Sequence, residues 1–423
     1  MRLSDGHWLS LYITRRAAFV LAIANLFVIL ALFLNAQGTL DQFGRPLGTD
    51  FSQVWVAGDM VRDGRAAEVW DWTPHFAAQR EFHGKADVDG YGWHYPPPFL
   101  LVAWALALLP YVAALLVWQG VTLGAFGALA AKASGRKDIW LFLLGAPVTL
   151  ICIGHGHNGF LTAFLLGAGL WLLDRRPLVA GLFLGALVYK PQFAIILPVA
   201  LLAGRQWRAI LGAAISSVGL CLLTLAVWGW PVWQAFIDSL PLTRTIILEA
   251  GATGFHKIIT PFAMVRMAGG DVAAAYAVQA TATAAMIGLV AWLALKARPD
   301  LRNAGIALAA LIATPYSLDY DLVAMLVAIF FLYRDASTHG WLAWEKIVMA
   351  LAWITPFFAR SLGEATGFPS GQIALFALVA LTVRRSLDAR ARRPIGAFGI
   401  PETFDERSGE DDVTGQRHVV NNG

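Results

Sequence analysis

Charge is what this chain has least of. Of its 423 residues only 14% are Asp, Glu, Lys or Arg, whereas 58% are hydrophobic. A soluble domain carries roughly 25% charged residues. A string of soluble domains is therefore excluded, and one polytopic membrane domain is expected. Cysteine is nearly missing too. Cys152 and Cys221 each fall inside an apolar run, which excludes a disulfide framework and any Cys/His metal spacing. No glycine-rich nucleotide loop and no internal repeat are present. The formal net charge is only +4, and nothing in it points to nucleic acid.

What the chain does have is apolar runs. Lipid cannot satisfy free backbone groups, so such runs must be helical, and about 20 residues span the hydrocarbon. The first, Ala17 to Leu34, follows Arg15 and Arg16. It is longer than a signal-peptide core and is expected to stay as a helix. Others lie near residues 97–109, 111–131, 139–153, 159–173, 177–189, 191–203, 208–229, 271–295, 302–314, 321–333, 346–358 and 371–383. Many of the 17 Trp sit near their ends, where amphipathic rings favour the interface.

Basic residues in short loops set the topology. Arg2, Arg15 and Arg16 place the N-terminus in the cytoplasm. Lys132, Arg136 and Lys137 join it there, as do Arg175 and Arg176, Arg205 and Arg208, Lys296 to Arg302, and Arg384 and Arg385. These agree only if the run at 97–109 does not cross. It then belongs to the first outer loop as an interfacial or re-entrant helix, ended by Pro110. The expectation is an all-α bundle of about twelve spans. Residues 1–16 form a cytoplasmic N-terminus, 17–385 the membrane domain with its outer loop at 36–110, and 386–423 a disordered cytoplasmic tail.

This topology gathers the unusual residues on one outer face. The loop from Ala36 to His94 holds nine acids against five bases. At its head, Asp50 in Gly48-Thr49-Asp50-Phe51 reads either as a helix N-cap or as a general base at the membrane surface. Asp59, Asp63 and Asp71 are rivals; the first two, four residues apart, suit a solvated helix face. Tyr95-Pro96-Pro97-Pro98 forces extended backbone and then permits a helix, a hinge that fixes the loop. Lys190 before Pro191 is an ionisable residue between apolar runs. It either snorkels or meets an anion such as phosphate. His155, His157 and Asn158 share a glycine-flanked turn suited to hydroxyl or phosphate contacts, or to a plain polar turn. No third metal ligand is placed, so no metal is expected. Asp319 and Asp321 flank Tyr320; sugar hydroxyls, an ion pair with Lys190 or Arg266, and a helix cap all remain open.

Taken in order, these segments resemble glycosyltransferase family 87. The carriers are Asp50 in GTDFSQVW, Val69-Trp70-Asp71 with Gln79, the YPPPF run, the GHGHNG turn, VYKPQ and TPYSLDYDL. The resemblance implies a GT-C membrane fold similar to that of polyprenol-phosphate-mannose-dependent mannosyltransferases, with juxtamembrane helices in the first outer loop. It implies an inverting transfer of a hexose, with mannose expected, from a polyprenyl-phosphate donor to a lipid or glycan acceptor. The setting would be the periplasmic face of a bacterial inner membrane, with no cofactor. Asp50 becomes the base. Lys190, Arg266, His256 and Lys257 are expected at the donor phosphate. Asp71, Tyr95, His155, His157, Asn158, Gln192, Tyr316, Asp319 and Asp321 are expected at sugar or acceptor. The rival reading is a transporter or flippase for a lipid-linked or small polar substrate, and a second is a non-catalytic assembly subunit.

Overall fold

The computed structural model describes residues 3–388, so the expected tail lies outside the described residues but for its first three. The protein is an all-α polytopic membrane protein with no strand among the described residues. A first helix, α1 (Leu11–Leu34), leads into the polar loop. That loop folds as α2 (Thr49–Arg62), α3 (Trp72–His83) and the short α4 (Leu100–Leu106). There follow α5 (Tyr111–Ser134), α6 (Ile139–Leu144), α7 (Pro147–His155), α8 (Gly159–Leu172) and α9 (Pro177–Gly185). Next come α10 (Pro191–Ala194), α11 (Ile196–Ala203), α12 (Trp207–Thr243), α13 (Pro261–Met267) and α14 (Val272–Lys296). The last are α15 (Pro299–Ile312), α16 (Val323–His339), α17 (Glu345–Ile354), α18 (Pro356–Thr366) and α19 (Ser370–Leu387).

Five helical segments are long and apolar enough to cross a membrane individually: Leu11–Leu34, Tyr111–Ser134, Trp207–Glu249, Val272–Lys296 and Asp319–His339. The shorter apolar helices include Pro97–Leu106, Gly159–Leu172, Pro177–Tyr189 and Pro191–Ala203. The run at 97–109 thus makes only a three-residue 3-10 turn and two turns of α4. At about 1.5 Å per residue that is too short for a ~30 Å hydrocarbon core. It packs instead against α2, inside the loop assembly.

Ion pairs and hydrogen bonds sort the helix ends into two faces. At one end, Tyr111 Oη donates to Leu47 O (2.7 Å), and Gln372 Nε2 donates to Ile258 O (2.9 Å). At the other, Arg15 meets Asp138 (2.8 Å), Arg302 meets Asp174 (2.8 Å), and Arg385 meets both Asp335 (2.5 Å) and Glu345 (2.6 Å). The bases that the charge bias grouped therefore share one end, and the polar loop takes the other. Non-helical backbone at Gly229 (φ 77°, ψ 178°) breaks α12. Its remainder lies along the loop assembly, where Phe236 packs against Trp70 with ring centroids 6.1 Å apart.

The loop is tightly held. Gln79 clamps the Tyr91 backbone, accepting from its N–H (3.1 Å) and donating to its carbonyl (2.8 Å). The Tyr95 carbonyl accepts from the indoles of both Trp70 (3.0 Å) and Trp93 (2.9 Å). Trp93 is fully buried. The loop is a packed subassembly rather than a mobile insertion.

Candidate active site

Asp50 occupies the first turn of α2, but it does not cap it. The N-cap is Gly48, with left-handed backbone (φ 63°), and no side chain caps that end. Left-handed geometry costs an L-residue energy that glycine avoids. Here the space is closed as well. A Cβ on Gly48 would come within 2.9 Å of Leu115 Cδ1 and 3.3 Å of the Gly156 Cα. Gly156 is also left-handed (φ 60°) and ends α7. Two bare backbones therefore touch, and this sets the start of α2 against the end of α7.

The consequence is chemical. The Asp50 carboxylate lies 3.3 Å from His155 Nδ1, and their side chains keep 17% and 20% of their surface exposed. Thr49 Oγ1 is 2.9 Å from the same nitrogen. Arg360 on α18 donates from Nη1 to His155 Nε2 (3.3 Å). A guanidinium has no acceptor, so Nε2 is the bare nitrogen and the ring proton sits on Nδ1, towards Thr49 and Asp50. Arg360 Nε is also 3.6 Å from Asp319 Oδ2. Asp319 itself is nearly buried and accepts from the Tyr320 N–H (2.9 Å). Asp50, His155, Arg360 and Asp319 form one chain of contacts drawn from four distant parts of the sequence.

Lys257 borders this chain. It ends the 3-10 turn Phe255–Lys257. That turn docks on the Asp319 segment through an antiparallel bridge between Ile258 and Leu318, with Ile259 N donating to Ser317 O (2.9 Å). Burial lowers the Lys257 pKa, and the nearby Arg360 charge lowers it further, while Asp319 and Asp50 pull it back. Lys257 makes no salt bridge among the described residues. His256 leans on α18, its Cβ 3.2 Å from where a Gly363 Cβ would stand, and burial also lowers its pKa. His94 is kept neutral by burial, its pKa lowered to about 4, and its Nδ1 meets Thr243 Oγ1 (3.0 Å).

A second group lies behind the first. Tyr95 Oη is 2.9 Å from His157 Nε2, and the His157 ring stacks on Tyr320 with centroids 3.5 Å apart. His157 Nδ1 and both amide atoms of the buried Asn158 have no partner among the described residues. Lys190 and Asp321, each about 2% exposed, pair at 2.5 Å. Asp321 also accepts from the Leu318 N–H (3.1 Å). Lys190 therefore faces an internal carboxylate, with Tyr320 and Phe193 rings within 6 Å of its ammonium (5.8 and 5.3 Å). Of the alternatives open for Asp321, the structure has both the Lys190 pair and the cap.

Four further expected site residues lie apart from the contacts of both groups. Asp71 is exposed and caps α3, accepting from the Thr73 N–H (3.0 Å). Arg266 donates to the carbonyls of Gly270 (2.8 Å) and Glu249 (3.2 Å) and stacks on Phe255 (4.9 Å). Two carbonyls and a ring occupy the guanidinium expected at phosphate. Gln192 is half-buried at the start of α10. Tyr316 is half-buried and edge-on to His94 (6.3 Å). Asp59 and Asp63 lie at the far end of α2, and Asp59 pairs with Arg62 (3.1 Å). No group of three or more His, Cys, Asp or Glu that could hold a metal ion occurs among the described residues.

Sequence reasoning missed Arg360. Its signal is close to the one Lys190 gives: an ionisable side chain within a turn of a proline that starts a new helix after an apolar run, Pro356 for Arg360 and Pro191 for Lys190. Tyr320, the ring between the two groups, was passed over for its acidic neighbours.

The sequence profile of glycosyltransferase family 87 matches residues 93–317, more than half of the chain. The chain belongs to glycosyltransferase family 87. The matched stretch carries Tyr95, the 155–158 turn, Lys190, Gln192, Lys257, Arg266 and Tyr316. Asp50, Asp319, Asp321 and Arg360 lie outside it, so their assignment rests on geometry. No curated protein and no solved structure matches the chain. Membership makes this membrane protein a glycosyltransferase and decides against the transporter reading.

Proposed function

We propose that this family 87 protein is an inverting, GT-C-type hexosyltransferase. It takes a hexose, mannose first among candidates, from a polyprenyl-phosphate donor to a hydroxyl of a lipid or glycan acceptor. It works at the periplasmic face of a bacterial inner membrane, the basic end of the bundle lying in the cytoplasm. The observation that carries the proposal is the partly exposed cluster of Asp50, His155, Arg360 and Lys257 at one end of the bundle.

Asp50 accepts the acceptor's O–H proton as that oxygen attacks the anomeric carbon. The bond from that carbon to the phosphate oxygen breaks with inversion, and polyprenyl phosphate leaves with the electron pair. Phosphate is a good leaving group, so no acid is needed, but its charge must be met. Lys257 and Arg360 are the cations placed for this. Lys190 is reassigned, because freeing it would strand a buried Asp321 carboxylate, a loss of roughly 3–5 kcal/mol. Its pair instead fixes Tyr320 and, through it, His157. His155, with its proton on Nδ1, is a donor towards Asp50 and orients the base rather than competing with it. Asn158 and His157 Nδ1, buried without partners, are candidates for sugar hydroxyls.

The test is turnover by purified protein with a panel of polyprenyl-phosphate sugars, followed as release of polyprenyl phosphate. One hexose should be used, and Asp50→Asn should cut the rate by about 10²–10⁴-fold or more, the worth of a positioned base. Near-wild-type turnover by that variant would remove Asp50 from its role. No release from any lipid-linked donor would remove the donor class.

A further inference from the structure

The structure also holds a cavity that the transfer reaction does not use. It lies at the end of the bundle opposite Asp50 and measures about 540 Å³, within the range of roughly 300–1,000 Å³ typical of ligand sites. Its walls come from the first half of α1, the last turns of α5, most of the length of α16, and α6, α8 and α17. The inner wall is almost wholly apolar, with Phe126, Leu129, Phe142, Trp171, Phe330 and Trp353 prominent. The cleft exists because α1 stands off the bundle. Its buried residues are only Ala18 and Asn25, and Asn25 Nδ2 ties it by donating to Leu144 O (2.8 Å).

The mouth has a different character. Ser10, Ser134 and Lys346 line it, and the Lys346 ammonium lies 5.2 Å from the Trp341 ring centroid. The nearby Arg15 and Arg136 are both spent on Asp138, and Arg136 also meets the Tyr333 hydroxyl. Lys346 makes no salt bridge among the described residues. A slot of hydrocarbon walls between membrane helices, rimmed by a cation without a salt bridge among the described residues, an indole and hydroxyls, fits one class of molecule. We propose that it holds an anionic phospholipid from the leaflet opposite the Asp50 site, one acyl chain inside and the phosphate at Lys346. Basic pockets between helices at a membrane face commonly hold anionic headgroups, and each buried methylene of the chain adds to the binding. Such a lipid would brace α1, and hence the Asp50 loop that follows it, against the bundle.

The experiment uses the full chain in detergent, with phospholipids brominated on their acyl chains as quenchers of tryptophan fluorescence. Trp171, Trp341 and Trp353 all face the cavity. Brominated phosphatidylglycerol should quench saturably at one site and outcompete brominated phosphatidylcholine. Lys346→Gln should remove about fivefold of that preference, the order expected for one lysine near an anionic surface, and leave quenching by phosphatidylcholine intact. Ala350→Phe, on the α17 wall, should abolish the saturable component. Equal binding of both headgroups in the unaltered protein, or a preference unchanged by Lys346→Gln, would overturn the proposal. So would displacement of the quencher by undecaprenyl phosphate as readily as by phosphatidylglycerol, since the slot would then belong to the donor's tail. None of these outcomes depends on whether a hexose is transferred.

Discussion

The two ends of the bundle both concentrate charge, and they treat it in opposite ways. At the basic end, Arg385 is about 1% exposed and bonds Asp335, Glu345 and the carbonyls of Asp335 and Gly340. Arg298 and His339 also approach Asp335, at 2.6 and 3.4 Å. At the Asp50 end, the contacts linking Asp50, His155, Arg360 and Asp319 are longer, at 3.3 to 3.6 Å, all of these but Asp319 stay partly open, and Lys257 makes no salt bridge among the described residues. Closed networks hold helices in register. Contacts at hydrogen-bond limit, next to an unpaired cation, leave room for a substrate to complete them. Charge satisfaction, rather than charge itself, separates scaffold from site.

The sharpest way to break this contrast is to delete one arginine from each end. Arg385→Ala strands two buried carboxylates and should cost roughly 3–5 kcal/mol, a large share of the 5–15 kcal/mol that holds a typical fold together. Thermal unfolding should show it, while turnover per folded molecule stays unchanged. Arg360→Ala should do the reverse. Stability should move less than for Arg385→Ala, because the guanidinium is a third exposed and its contact with Asp319 is long at 3.6 Å, and turnover should fall about 10²-fold, the usual cost of one charge-stabilising donor. A matching collapse of stability in both would erase the distinction.

Lys190 tests the boundary between the ends, since it lies near the site but is sealed like the scaffold. Lys190→Met alone should destabilise by roughly 3 kcal/mol or more, whereas Lys190→Met with Asp321→Leu should recover much of it. A donor-phosphate role would instead leave the double variant stable and without transfer.

Two pH effects are smaller. His75 is fully buried, and burial, helped by His94, lowers its pKa to about 3 from 6.5. Between those values the unfolded chain binds the proton and the fold does not. The stability this protects is present above pH 6.5 and is lost as pH falls. By pH 5 the loss should be about 2 kcal/mol, seen as a falling unfolding temperature that His75→Asn flattens. Lys257 has the opposite consequence for function. Its lowered pKa means that it sheds its charge below the usual lysine range. The donor KM should therefore rise on the alkaline side earlier than for a free lysine, and Lys257→Arg should move that rise to higher pH. An unshifted profile would remove Lys257 from the phosphate.

Much of this was legible from composition and order. Scarcity of charge and the length of the apolar runs dictate membrane helices, because lipid leaves the backbone no other partner. The bias of Arg and Lys between loops predicted that Asp50, His155, Lys190, Lys257 and Asp319 would share one end, and that the run at 97–109 would not form a span of its own. Both follow from short-range properties: local hydropathy, loop charge and proline stereochemistry. What the sequence left open was decided by contacts between distant segments. The sequence allowed Asp50 to cap α2; instead two glycines, Gly48 and Gly156, let separate backbones touch, Gly48 takes the cap position, and the Asp50 carboxylate turns to His155. Lys190 could meet phosphate or a carboxylate until the 3-10 turn ahead of α16 brought Asp321 within 2.5 Å. Arg360 reaches His155 across 205 residues, a distance over which no propensity or spacing carries information. Packing, not pattern, chose which charges are neutralised and which stay available.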